Sequence, residues 1–121
     1  MKAILDTNFL VYCAKQKIDY ASEISRIAPG CRVAAVKQTA DELQKLAKTA
    51  RKLSDRNAAK LALRLLKFNK VQILDVKGKD ADKALKMLGK KGNIVATLDK
   101  NLKYNLDKVI VIESRKKLAF A

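Results

Sequence analysis

Acidic side chains stand at four places where short apolar runs of this chain end. Asp6 closes the run at residues 2–5, in K-A-I-L-D-T-N. Asp99 follows the run at 93–97, two residues after Thr97. Asp80 and Asp82 open an amphipathic stretch after the run at 71–76. Glu42 lies within the first turn or so of the stretch that follows residues 31–36. There is no histidine, which excludes a Ser-His-Asp or Cys-His triad, a histidine base and His-ligated zinc. Cys13 and Cys31 are too few for a four-thiolate site. Acid–base or metal chemistry therefore rests on carboxylates, Lys and Tyr. Taken singly, an acid at a helix start has an ordinary role, offsetting the positive end of the helix dipole by about 0.3–1 kcal/mol. Taken together the acids say more. Only 12 Asp and Glu stand against 27 Lys and Arg, a net charge of +15, yet each of these run ends presents one. Clustered carboxylates repel and raise one another's pKa, and a cation relieves them. All-oxygen ligands suit Mg²⁺ or Mn²⁺, which keep waters and phosphate oxygens in their remaining positions. Around such a centre Lys and Arg can hold backbone phosphates, as a phosphodiesterase acting on nucleic acid requires.

These acids share an edge only if the apolar runs are parallel strands, because sites in open parallel sheets gather outside the strands' carboxyl ends. Strands are predicted at 2–5, 31–36, 71–76, 93–97 and 108–112. Between them the apolar spacing is helical. Asp6, Thr7 and Asn8 can each cap a helix over 9–15, and a second helix spans 18–28 before Pro29-Gly30. Further helices are predicted over 39–50, from a Ser54-Asp55 cap to about Phe68, and over 81–88, with a helical turn or short helix at 99–106. In the fifth of these, Ala81, Ala84, Leu85 and Leu88 mark the buried face. Residues two apart on a helix diverge by about 200°. Asp80 therefore fits the cap, and Asp82 sits beside the buried face, where it can reach the sheet edge. The expected fold is a single α/β domain over residues 1–121. Its three layers are helices on either side of a central, mainly parallel five-stranded sheet. A basic tail from about Ser114, carrying Arg115, Lys116 and Lys117, is expected to be loose.

Four motifs in this order resemble the PIN-domain ribonucleases: I-L-D-T-N-F-L at 4–10, the E-L of A-D-E-L-Q-K-L at 40–46, A-D-K-A-L at 81–85 and V-A-T-L-D-K-N-L at 95–102. The resemblance implies a metal-dependent endoribonuclease with Mg²⁺ or Mn²⁺ as cofactor. Residue by residue, it places the catalytic and metal-binding acids at Asp6, Glu42, Asp82 and Asp99, with Asn8 and Thr97 supporting the first and last. Simple helix capping is the other reading of Asn8 and Thr97, and the two roles can coexist. Asn101 stands where relatives often carry a further acid, which implies fewer carboxylates and a weaker hold on a second ion. The last motif is similar to the branches that process ribosomal RNA and to archaeal VapC-type toxins. The implied partners are RNA and either an antitoxin peptide or a ribosomal particle. A non-catalytic RNA-binding module associated with ribosomal RNA is the alternative, and the complete set of four acids favours the enzyme.

RNA is expected to lie on basic residues. Lys45, Lys48, Lys52, Arg56, Lys60, Arg64 and Lys67 recur three or four apart, and near-continuous helices would make them one stripe opposite the leucines. An ordinary solvated face is the plain alternative. Asp55 is the only acid from Lys45 to Lys70, so the usual opposite-sign pairs are missing. Lys100 and Lys103 offer a second basic surface. Aromatics are 5% of the chain and scattered. Phosphate attraction should then dominate, and selectivity would need a partner, a homodimer groove or a folded RNA shape. No apolar run approaches the roughly 20 residues of a membrane span. Cys13 is expected to be a buried free thiol, and the protein cytoplasmic.

Overall fold

A computed structural model describes residues 1–98, 106 and 108–121. The elements in chain order are β1 (Lys2–Leu5), α1 (Thr7–Gln16), α2 (Tyr20–Ile27), β2 (Arg32–Val36), α3 (Lys37–Thr49), α4 (Leu53–Phe68), β3 (Gln72–Leu74), α5 (Ala81–Lys90), β4 (Ile94–Ala96), β5 (Val109–Ser114) and β6 (Lys117–Phe120). The sheet order is β3-β2-β1-β4-β5-β6. The first five strands are parallel, and β6 runs antiparallel to β5. β1 is central because its side chains can be buried on both faces: Ala3, Ile4 and Leu5 are all fully buried. Ala3 and Leu5 pack with α1, α2, α3 and α4 through Phe9, Leu10, Ile24, Leu43 and Leu66. Ile4 points the other way, into a cluster with Ala81, Ala84 and Leu85 of α5. These are the expected three layers.

Two departures matter for function. The sheet has six strands, not five. The expected loose tail is β6, with Ile112 opposite Leu118 and Ile110 opposite Phe120. Charge at Arg115-Lys116-Lys117 had suggested a solvated end. Arg115 and Lys116 form the turn, with Lys116 in the left-handed region (φ 54°), Lys117 opens β6, and Leu118 is buried against the core. β6 is also clamped by α2. Glu23 accepts the Leu118 N–H at 2.9 Å, and Arg26 donates to the Leu118 carbonyl at 2.9 Å. The second departure is between α3 and α4. They are not near-continuous: the chain breaks at Ala50–Lys52 and the helices pack against each other. α4 begins at Leu53 after Lys52, so Ser54 and Asp55 lie inside the helix and do not cap it. Cys13 is a buried free thiol, as expected, pushed up to about 12 by burial, and Cys31 is also free. The expected helical turn over 99–106 falls almost entirely outside the described residues.

The Glu23 clamp gives a pH test. Hydrogen bonds from Arg26 and the Leu118 N–H lower the Glu23 carboxyl from 4.5 to about 2. A carboxyl held low in the folded state stabilises above its unfolded pKa, and that contribution is lost as pH falls toward the folded value. Glu23→Gln should lower the melting temperature at pH 7. It should also flatten the loss of stability between pH 4.5 and about 2. Thermal scans across that window check it; an unchanged acid limb would show the clamp to be inert.

Candidate active site

The carboxyl edge of β1 is a point where strand order reverses: β2 lies on one side and β4 on the other. Parallel sheets leave a crevice at such a point. Asp6 is the first residue after β1. Its N–H donates to Ala96 O at 2.9 Å, extending the β1–β4 ladder, and its carbonyl accepts the Leu10 N–H at 3.0 Å. Although it occupies the cap position of α1, its carboxylate makes no capping hydrogen bond. Instead Oδ2 accepts the Thr97 hydroxyl at 2.9 Å. Asp6 is 7% exposed and Thr97 is fully buried. A carboxylate is expensive to bury without such donors, so this is an arranged position. Thr97 stands directly after β4, and its own N–H donates to Ile110 O of β5 at 3.1 Å. The hydroxyl that holds Asp6 is thus placed by three adjacent strands.

Glu42 comes from the second turn of α3. Burial raises its carboxyl pKa, the Thr7 hydroxyl opposes that by hydrogen bonding, and the negative charges of Asp6, Asp82 and Asp80 raise it further. The carboxylates of Asp6, Asp80 and Asp82 are therefore close enough to act on Glu42. Thr7 also meets Thr39 through their hydroxyls at 3.3 Å, tying α1 to α3 inside this cluster. Asp80 is the cap of α5, accepting the Asp82 N–H at 2.9 Å and the Lys83 N–H at 3.4 Å. Asp82 is exposed in the first turn, free of the capping role. That division matches the helical-geometry expectation.

Gln38, Thr7 and Thr39 were not anticipated from sequence. Gln38 is buried, and its side-chain N–H donates to Val76 O at 2.8 Å and Gly78 O at 2.7 Å. It ties the loop that enters α5 to α3, one turn before Glu42. The available signal was its spacing of four from Glu42, which places both on one helical face.

Asn8 is exposed in the first turn of α1 and makes no side-chain hydrogen bond among the described residues. Asp99, Lys100, Asn101 and Lys103 lie outside the described residues. Among the described residues, no three Asp, Glu, Cys or His side chains converge on one point. The donor set still fits a hard divalent cation: all oxygen, mutually repelling, with one member rigidly held. Of the basic residues, Lys45, Lys48, Lys52, Lys60, Arg64 and Lys67 are exposed. Arg56 is half-buried and donates to Ala50 O at 2.8 Å, covering the end of α3. The predicted single stripe is therefore two basic faces on packed helices, with Arg56 engaged at their junction.

Repulsion within the cluster has a measurable consequence. In chelator at neutral pH, Glu42→Gln should raise the melting temperature. Mg²⁺ or Mn²⁺ should then stabilise the wild type more than the variant. Equal metal responses would show that Glu42 stands apart from the cation site.

A family model described as a PIN like domain matches residues 3–117. Ribonuclease VapC4 of Methanocaldococcus jannaschii is 33% identical over 108 residues, 87% of this chain and 82% of that protein. Among solved structures, the PIN domain endonuclease Utp24 superposes with a TM-score of 0.78 at 25% identity, covering 98% of this chain and 90% of that one. VapBC2 from Rickettsia felis, solved bound to a DNA fragment from its promoter, gives a TM-score of 0.59 at 17% identity over 93% of this chain and 100% of that one, a likeness of fold. The match across residues 3–117 and the 33% identity to a PIN-type ribonuclease make this chain a member of the PIN like domain family.

Proposed function

We propose that this protein is an endoribonuclease that hydrolyses RNA phosphodiester bonds with a divalent cation, Mg²⁺ or Mn²⁺. The observation that carries the reading is the buried Asp6 carboxylate, held by Thr97 at the switch point; its negative charge and that of Asp82 both act on Glu42. Membership of the PIN like domain family and the identity to a ribonuclease support it. Asp6 would be the central cation ligand, because strand and hydroxyl fix its position. Asp82 and Asp99 would complete the set, partly through water. Glu42, exposed at the surface with its carboxyl pKa raised, would take a second ion or orient the attacking water. Asn8 and Thr97 would keep the ligating carboxylates aligned. When bound, the cation supplies Lewis-acid polarisation of the phosphate and activation of water. The basic faces of α3 and α4 would draw in the RNA backbone without reading its sequence. VapC4 and Utp24 suggest two settings for the same chemistry: opposed by an antitoxin peptide, or within a ribosomal particle. A homodimer would add selectivity in either. Two free thiols suit a reducing cytoplasm.

Cleavage of single-stranded RNA should require Mg²⁺ or Mn²⁺ and stop in excess chelator. Asp6→Asn should reduce it to background with the fold retained. Asp82→Asn should remove most activity, and Asp80→Asn should stay within a few-fold, since Asn caps a helix about as well as Asp. Full-rate cleavage in chelator would sink the reading. Binding of RNA with no cleavage under any metal would convert it to the non-catalytic module.

Binding should also depend on salt through the helical faces. Replacing Lys52, Lys60 and Arg64 by Ala should weaken all single-stranded RNAs alike and flatten the salt slope by about 0.7 per lost contact. An unchanged slope would move the RNA off α4.

A further inference from the structure

One exposed aromatic on α1 is left unused by the chemistry above. Tyr12 lies one turn after Asn8, is 38% exposed, and forms a wall shared by two adjoining cavities. The first, about 460 Å³, is lined by Asn8, Val11, Tyr12, Lys15 and Leu98. Asn8 is two residues after Asp6 and Leu98 directly follows Thr97, so this cavity is lined by chain neighbours of the Asp6–Thr97 pair. It offers an aromatic ring, two aliphatic side chains and a carboxamide, and its Lys15 ammonium is ion-paired with Asp55 of α4. Those walls suit a flat neutral ring with a polar edge better than a phosphate. The second cavity, about 510 Å³, runs from the other side of Tyr12 to the β5–β6 turn, where it meets Arg115 and Lys116. Both are exposed and make no ion pair among the described residues, while Glu113 partly offsets their charge. Each cavity is within the size range of small-ligand clefts, about 300–1,000 Å³. The order along α1 is therefore the Asp6 end, a mixed cleft with an aromatic wall, then the cations of the β5–β6 turn.

We propose that Tyr12 is the stacking platform for the RNA base next to the scissile phosphate, and that Arg115 and Lys116 bind the phosphate of the following nucleotide. The proposal rests on the ribonuclease reading of the same site. It gives the β5–β6 hairpin a role as one end of a track over α1. It also places a stacking contact where aromatic content alone had suggested none. Stacking tolerates any base, so preference at this nucleotide would come from the Asn8 carboxamide.

The test uses short single-stranded RNA carrying 2-aminopurine beside the cleavage site, with wild type, Tyr12→Ala, Tyr12→Phe and the double variant Arg115→Ala/Lys116→Ala. Tyr12→Ala should raise KM about tenfold, the scale of one lost base stack, and abolish quenching of the probe. Tyr12→Phe should retain both. The double variant should flatten the salt slope by about 0.7 per lost phosphate contact while keeping the quenching. If wild type cleaves and Tyr12→Ala matches it in KM and quenching, the platform is overturned and the nuclease reading stands. If wild type quenches the probe through Tyr12 yet never cleaves, the nuclease reading fails and the platform stands as an RNA-binding element. Neither quenching nor cleavage overturns both.

Discussion

The hydrogen bond from the Thr97 hydroxyl to the Asp6 carboxylate organises the rest of the molecule. It joins residues 91 positions apart in sequence, and it can form only when β1 and β4 are neighbours in register. That pairing needs β1 in the middle of the sheet, and the middle of the sheet needs apolar residues on both faces, which Ala3, Ile4 and Leu5 provide. Helices must then cover both faces, as α1 to α4 do on one side and α5 on the other. A hydrogen bond to a charged group contributes about 1.5–3 kcal/mol, and leaving such a group buried without a donor costs more. Fold and site are thus one constraint seen from two sides.

Around that fixed carboxylate the other acids are held by different means. Glu42 is carried by a helix that begins directly after β2, so its distance from the sheet edge is set by the strand. Asp82 is carried by a helix whose entry loop is gripped by Gln38 and whose first turn is capped by Asp80. The second device is necessary because β3 is only three residues long and ends well before α5. The loop between them has no ladder of its own, and a buried amide takes the ladder's place. In a chain of charge +15, this concentration of like-charged acids is held against its own repulsion.

Much of this was legible in the residues. The apolar runs marked the strands because parallel strands buried on two faces read as continuous hydrophobic segments. The split between Asp80 and Asp82 followed from helical geometry alone. The Gln38 clamp was hidden because its partners are backbone carbonyls 38 and 40 residues away, which carry no side-chain signature. β6 was hidden because basic residues at the turn and at the start of the strand masked the inward Leu118, whose burial depends on α2 and β5. The basic stripe was misjudged because residues 50–52 contain neither Pro nor Gly, and the break is imposed by packing of α3 on α4.

The sheet order has a consequence for how the chain folds. The central strand is β1, but the three strands on its β4 side, β4, β5 and β6, all come from the last third of the sequence. Pairings this distant in sequence form late, after the loop-closure entropy has been overcome. The strand that closes the far edge is β6, Lys117–Phe120. Until β4 docks, Asp6 lacks the Thr97 hydroxyl that holds it. The carboxylate centre is therefore assembled only once β4 has paired with β1, a step that local helix formation cannot replace.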